Sequence, residues 1–288
     1  MTGGRVPLFG WGAFLLLAIA ASLVGTGVQV AFAALAVGVL GLPHGASDLT
    51  IVAPGRRQAF LAAYVGTIGA VLSLWIAAPI WGLSVLLACS AVHFALDDED
   101  HGPFGWARGA CLVAAPAVVH RDALADLFAR LTRSTAAAGD IASLLQVAGV
   151  LGLAIVVGGL VHRRVSPANS LTVAALVAAV ALPPLTGFAV GFVMLHAWRQ
   201  TQERRDELRC PTMGAYLLRV APVLAGAAVV LLGIATTLAG RLAGDVGILF
   251  AGIAALAMPH MLVTPIWHRR PAPLPLRRRP RGGVAIRL

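Results

Sequence analysis

The segment 28–42, VQVAFAALAVGVLGL, leads directly into Pro43-His44-Gly45-Ala46-Ser47-Asp48. An apolar run that ends in a histidine indicates a membrane-spanning helix with one polar side chain at its end. Asp48 follows His44 by one helical turn, where its carboxylate can accept a hydrogen bond from the ring. The same spacing recurs at His93 and Asp97. Such pairs are typical of metal ligands, although either histidine alone is as compatible with a packing or interfacial role.

The composition of the chain indicates its class. Of 288 residues, 59% are apolar and only 12% are charged, and the mean hydropathy is +0.86. These values predict an all-α polytopic membrane protein. The net charge of +10 lies in short clusters between apolar runs, which is typical of cytoplasmic loops and argues against nucleic-acid binding. The scattered Cys89, Cys111 and Cys210 indicate neither a disulfide framework nor a zinc site.

Apolar runs predict a bundle of about 8–10 transmembrane helices, with about ten crossings preferred and both termini cytoplasmic. The runs are residues 11–24, 28–42, 59–78, 80–96, 104–119, 141–161, 169–182, 185–199, 215–239 and 246–267. Pro183-Pro184 divides the seventh from the eighth, because proline removes a backbone donor and clashes with the preceding turn. Residues 121–140 are predicted to form a polar loop on the membrane surface, with some amphipathic helical character at Leu124, Leu127, Phe128 and Leu131.

We expect one integral-membrane helical domain over residues 1–268, whose first apolar run is an uncleaved anchor. Residues 269–288 are rich in arginine and proline, which predicts a disordered cytoplasmic tail near anionic lipid. The expected location is therefore the inner or plasma membrane of the cell, crossed several times.

Four histidines fall at the inner ends of the second, fourth, eighth and tenth predicted helices: His44, His93, His196 and His260. One bundle can bring them together at one depth. Because buried imidazoles are costly without a partner, a metal site is a better interpretation than four packing residues. Four neutral nitrogens suit iron, copper or zinc. We expect iron with positions open for dioxygen or substrate, while haem held by paired histidines is an alternative.

Several motifs in this order carry a resemblance to a known family. They are Gly41-Leu42-Pro43-His44-Gly45-Ala46-Ser47-Asp48, His93-Phe94 with Asp97, Leu182-Pro183-Pro184 before His196-Ala197-Trp198-Arg199, and Met258-Pro259-His260-Met261. From Gly41 to about His260 the chain resembles the Brp/Blh family of membrane-embedded β-carotene 15,15'-dioxygenases. The most specific motif is the proline-histidine-glycine segment with its trailing aspartate.

The resemblance implies an iron(II) enzyme that adds dioxygen across the central double bond of β-carotene and releases two molecules of all-trans-retinal. It also implies that the iron ligands are His44, His93, His196 and His260. The spacing of the residues, independently of the resemblance, predicts Asp48 and Asp97 as acceptors behind the ligands. Pro43 is expected to set how the second helix ends, and Gly45 to leave room beside the metal for dioxygen or polyene.

The expected partners are β-carotene or a related carotenoid, dioxygen, the lipid bilayer and a rhodopsin that accepts retinal. A C40 polyene dissolves only in the bilayer, so an enzyme can take it sideways from lipid into an apolar tunnel. Four aromatic residues close to the histidines in sequence are candidates for lining this tunnel: Phe94, Phe192, Trp198 and Trp267. Core or interface packing is an equally good interpretation for each of them.

Other classes of membrane protein also have buried polar groups. A transporter is compatible with Pro183-Pro184 and the many glycines, but the span centres lack Asp, Glu, Lys and Arg and show no inverted repeat. A haem-bearing electron carrier would show a Soret band. A desaturase is disfavoured because the repeated HxxxH and HxxHH clusters of that class are absent from the sequence.

Overall fold

A computed structural model of the protein describes residues 8–97, 102–162, 170–238, 240–242 and 244–267. These residues form helices and short connections and contain no strand, which confirms the predicted all-α class. The predicted disordered tail, 269–288, lies outside the described residues, as does most of the acidic loop that follows Asp97.

Fourteen α-helices occur in the described part of the chain. They are α1 (Leu8–Val24), α2 (Thr26–Leu35), α3 (Leu42–Ala46), α4 (Asp48–Ile51), α5 (Arg57–Ala77), α6 (Pro79–Leu96), α7 (Pro103–Thr132), α8 (Thr135–His162), α9 (Ser170–Ala181), α10 (Pro184–Phe192), α11 (Trp198–Glu207), α12 (Met213–Leu238), α13 (Gly244–Leu262) and α14 (Thr264–Trp267). Two π-helical segments, Ala36–Gly41 and Val193–Ala197, join α2 to α3 and α10 to α11.

Among the described residues, six helical segments are long and apolar enough to cross a membrane. They are Thr26–Ile51, Pro54–Ala77, Pro79–Leu96, Thr135–His162, Met213–Leu238 and Gly244–Trp267. Two shorter apolar helices, Phe9–Val24 and Leu171–Ala181, correspond to the first and seventh predicted crossings. The other two predicted crossings fall within α7 and on α10 with the π-helical segment that follows it. This arrangement is that of a polytopic membrane protein.

The prediction that residues 121–140 form a loop on the membrane surface is wrong, although their amphipathic helical character is confirmed. Helix α7 departs from helical geometry only at His120 and continues to Thr132, and α8 begins at Thr135. The apolar side chains of the supposed loop are buried in the core: Leu124, Leu127, Phe128 and Leu131. Arg121 donates hydrogen bonds to Ser143 of α8, so the polar residues of this segment also join the two helices. The amphipathic stripe faces protein and not the membrane surface.

Glycines allow α7 to approach both of its neighbours closely. A Cβ at Gly109 would lie 2.5 Å from the backbone nitrogen of Ala95 on α6. On the other side, a Cβ at Gly149 of α8 would lie 2.6 Å from the carbonyl oxygen of Ala114. Small residues at such contacts are the usual means of packing helices in a bilayer, where apolar burial alone does not drive association. The contact at Gly109 also determines the position of α6, which carries His93.

Candidate metal centre

The four histidines singled out from the sequence meet in the folded chain. His44 lies on α3, His93 near the end of α6, His196 in the second π-helical segment and His260 on α13. The centres of the His44 and His93 rings each lie 5.1 Å from that of His260 and 5.3 Å from that of His196. Neighbouring rings are inclined by 69–86°. The four side chains therefore form a closed ring of imidazoles.

Each of these imidazoles has one buried nitrogen without a hydrogen-bond partner: His44 Nδ1, His93 Nε2, His196 Nε2 and His260 Nε2. Leaving four such atoms unpaired in an apolar interior is costly, so a common ligand for them is expected. A metal–imidazole nitrogen bond of about 2 Å puts the centres of neighbouring rings on one ion about 5 Å apart. The observed ring spacing and the donor set thus fit a metal ion.

Two of the ligand candidates are associated with π-helical turns. The segment Ala36–Gly41 immediately precedes the helix of His44, and Val193–Ala197 contains His196. Extra residues in a helical turn rotate the side chains that follow, and such turns are frequent at functional sites. Pro43 lies in the first turn of α3, where no intrahelical donor is needed. The helical run continues beyond it to Ile51, so Pro43 does not shape the end of this run, contrary to the prediction.

Asp48 is a buried acceptor, but it does not serve His44. Its Oδ2 atom lies 2.7 Å from Nδ1 of His260 and also accepts a hydrogen bond of 2.7 Å from the Thr264 hydroxyl. A carboxylate that accepts a hydrogen bond from Nδ1–H fixes the ring orientation of His260. The lone pair of Nε2 then remains free for a ligand. Asp48 was predicted to support His44, one turn before it, but it supports His260 on α13, which is far away in the sequence.

Asp97 is placed differently from Asp48. Its Oδ2 atom lies 3.4 Å from Nε2 of His93, the nitrogen that has no hydrogen-bond partner. Possible ligand atoms of His93, Asp97 and His196 all lie within 4.8 Å of one another. The carboxylate therefore lies on the inner side of His93 and not at its predicted place behind the ring.

Tyr216 is a further residue at this site, and the sequence did not draw attention to it. Its hydroxyl, on α12, donates a 2.5 Å hydrogen bond to the carbonyl oxygen of Pro43, and the side chain is fully buried. Ser47 donates a hydrogen bond of 2.8 Å to the carbonyl of His44. These bonds hold the short helix that carries His44. In the sequence, the only sign of this supporting role is a single tyrosine within an apolar span.

The four aromatic candidates separate into two groups. The Phe94 ring lies 4.6 Å from that of His196, and Phe192 lies 5.8 Å from His196 and 6.2 Å from His44. Trp198 instead contacts the Trp11 ring at 5.9 Å. Trp267 packs on Phe60, and the guanidinium group of an arginine lies over the Trp267 ring. Phe94 and Phe192 therefore cover the histidine cluster, whereas the ring contacts of the two tryptophans lead elsewhere.

Gly45 was expected to leave room beside the metal, but the structure places the open space elsewhere. A Cβ added there would lie 3.5 Å from Nδ1 of His260, so Gly45 packs against the outer side of that ring. A cavity of about 170 Å³ adjoins His196 and Phe94 instead. Leu112, Leu176 and Met194 contribute apolar walls, and two arginines line it as well. Open volume thus lies on the His196 side of the cluster.

The fold and this site define a class: an all-helical membrane protein with a buried four-histidine centre covered by aromatic rings. Residues 35–268 match the family described as Beta-carotene 15,15'-dioxygenase, and the chain belongs to that family. It is accordingly an enzyme, a carotenoid 15,15'-dioxygenase. All four clustered histidines lie inside the matched region, whereas α1 precedes it.

A curated relative supports the same family. The chain is 24% identical over 246 residues to a Beta-carotene 15,15'-dioxygenase of uncultured marine bacterium 66A03, a match that covers 78% of this chain and 88% of the relative. No solved structure matches the chain.

Proposed function

We propose that this protein is a non-haem iron(II) dioxygenase that cleaves β-carotene at its central double bond with dioxygen and forms two molecules of all-trans-retinal. The observation that carries the proposal is the ring of four buried imidazoles, each with an unpaired nitrogen, in a chain of the β-carotene 15,15'-dioxygenase family. The family supports the type of reaction, and the donor set supports a bound transition metal such as iron.

His44, His93, His196 and His260 would hold the iron. Imidazole nitrogen is a good donor for iron, copper and zinc, and a zinc ion with four imidazoles would leave no position for substrate. When bound, iron(II) supplies the binding and activation of dioxygen. Asp48 keeps His260 in the tautomer that presents Nε2, and Tyr216 keeps the His44 turn in place. The apolar surroundings exclude water from the reacting centre.

The substrate would be held mainly by apolar contact. Phe94 and Phe192 offer ring faces beside the histidines, and the cavity next to His196 extends this apolar surface. A polyene has no polar group to recognise, so we propose that its central bond is selected by the distance from the end of the substrate tunnel to the metal. The polyene would enter sideways from the bilayer.

The proposed orientation has both termini in the cytoplasm and the histidines toward the cytoplasmic side. Arg56 and Arg57 follow the His44 segment, and Arg204 and Arg205 follow His196 in α11, so arginines accompany two of the ligands. Such clusters are typical of cytoplasmic loops in the inner or plasma membrane. A rhodopsin in the same membrane is the acceptor that we propose for the retinal.

Expression of the full chain in carotenoid-producing bacteria tests this function. The expected result is loss of the orange β-carotene colour together with accumulation of all-trans-retinal, measured by chromatography. Unchanged pigment and absence of retinal, with folded protein present in the membrane, would contradict the proposal. A Soret band in the purified protein would indicate the alternative of a haem carrier.

Replacing Gly41 with alanine is expected to lower turnover about tenfold to a hundredfold while leaving the metal content unchanged. An added Cβ would lie 2.6 Å from Cε1 of Phe192 and would push this ring out of its place beside His44. Gly38→Ala is the matched control, because it lies in the same π-helical segment and has no neighbour within 4 Å. Equal retinal formation by both variants would exclude a positioning role for Phe192.

Replacing Asp48 with asparagine is expected to weaken iron binding about tenfold to a hundredfold without abolishing it. The amide oxygen can still accept one hydrogen bond, but it lacks the charge that two donors, His260 and Thr264, now share. Iron retained per protein after dialysis against a graded chelator series measures the effect. Retention equal to that of the unaltered protein would remove Asp48 from the support of the site.

A further inference from the structure

Two carboxylates stand at the same spacing behind two histidines in the sequence, yet they meet different nitrogens in the fold. Asp48 contacts Nδ1 of His260, whose Nε2 remains unpaired, so it lies behind the ring of imidazoles. Asp97 approaches Nε2 of His93, which is itself the unpaired nitrogen. Asp48 therefore lies outside the ring of imidazoles, whereas Asp97 lies on the side where the unpaired nitrogens meet.

The backbone of Asp97 is fixed at the end of α6 in a way that directs this placement. Its N–H donates to the carbonyl of His93 at 2.9 Å, and its own carbonyl accepts a 2.6 Å hydrogen bond from Arg199. Arg199 lies on α11, three residues after His196. The helix that brings His196 to the cluster thus also anchors the residue that carries this carboxylate.

We propose that Asp97 is a fifth ligand of the metal, binding it directly through Oδ2 between His93 and His196. This inference rests on the proposed metal-dependent function. Possible ligand atoms of these three residues already lie within 4.8 Å of one another, and Nε2 of His196 is buried and unpaired. An anionic oxygen among neutral nitrogens offsets one charge of a divalent ion and favours iron(II) over copper(I).

The test is a Co(II) titration of the purified, metal-free full chain, followed by its visible absorption. A direct ligand changes the coordination number when it is removed, so Asp97→Ala is expected to alter the position and intensity of the Co(II) bands and to raise the Kd at least tenfold. Formate, which replaces the missing carboxylate, is expected to restore the original spectrum in Asp97→Ala. Asp97→Asn keeps the side-chain volume and is expected to show the altered spectrum as well.

Two control variants separate a ligand from a supporting residue. Asp48→Asn is expected to weaken Co(II) binding while keeping the spectrum of the unaltered protein, because it acts through His260. Asp206→Asn removes an acid of α11 that is paired with Arg205, and it should change neither property. A spectrum of Asp97→Ala and Asp97→Asn identical to that of the unaltered protein would overturn the inference.

The same titration distinguishes failure of this inference from failure of the proposed function. Stoichiometric Co(II) binding by the unaltered chain, with no spectral change in either Asp97 variant, would remove Asp97 from the ligand set and leave the four histidines. Absence of Co(II) binding by the unaltered chain would contradict the metal-dependent function itself.

Discussion

Alanine in place of any one of His44, His93, His196 or His260 is expected to reduce retinal formation to background and to deplete bound iron. Each ring in the cluster lies next to two others at 5.1–5.3 Å, so every imidazole contributes one side of a closed arrangement. Loss of one donor opens the coordination sphere and leaves the neighbouring buried nitrogens unpaired, which costs metal affinity and stability together. Iron per protein and retinal yield in carotenoid-producing cells measure the two effects.

His162→Ala is the matched control, because this histidine is exposed at the end of α8 and lies among arginines in the sequence. It should keep full activity and metal content. Thermal unfolding of each variant in detergent separates loss of metal from loss of fold, most importantly for the deeply buried His196. Any one of the four alanine variants that retained iron and full activity would show that its histidine is not a ligand.

Replacing Gly109 with alanine is expected to destabilise the protein by about 3 kcal/mol. The new Cβ would lie 2.5 Å from the nitrogen and 2.8 Å from the Cα of Ala95, which are backbone atoms of α6. No rotamer change relieves such a contact, so α6 must move away from α7. Since α6 carries His93 and Asp97 at its end, the displacement is also expected to lower metal content.

Gly158→Ala on α8 is the control for this prediction, because a Cβ there meets nothing within 4 Å. Alanine has a higher helix propensity than glycine, so this variant should be neutral or slightly stabilised. The midpoint of thermal unfolding and the yield of monodisperse protein provide the comparison. If Gly109→Ala unfolded at the same temperature as Gly158→Ala, the close packing of α6 on α7 would be refuted.

Much of the fold could be predicted because hydropathy is a local property. Each apolar run has to satisfy its backbone hydrogen bonds internally in lipid, so a helix follows from the run itself, as does the break between α9 and α10 at Pro183. The same reasoning failed at residues 121–132. An amphipathic stripe indicates one apolar face but not whether lipid or protein covers it, and here the protein core does.

The sequence by itself determined the membrane class, the all-α fold and the choice of the four histidines, because length, hydropathy and spacing along one chain decide these. It did not place them correctly within their helices, since His44 and His196 lie inside helical runs that continue to Ile51 and Glu207. Only the tertiary structure decided that Asp48 serves His260, that Asp97 faces inward and that Phe94 and Phe192, but not Trp198 or Trp267, cover the cluster. These features depend on the rotation of each helix about its axis. That rotation is determined by packing between residues distant in sequence, such as Tyr216 against Pro43, and by π-helical turns that local propensity does not reveal.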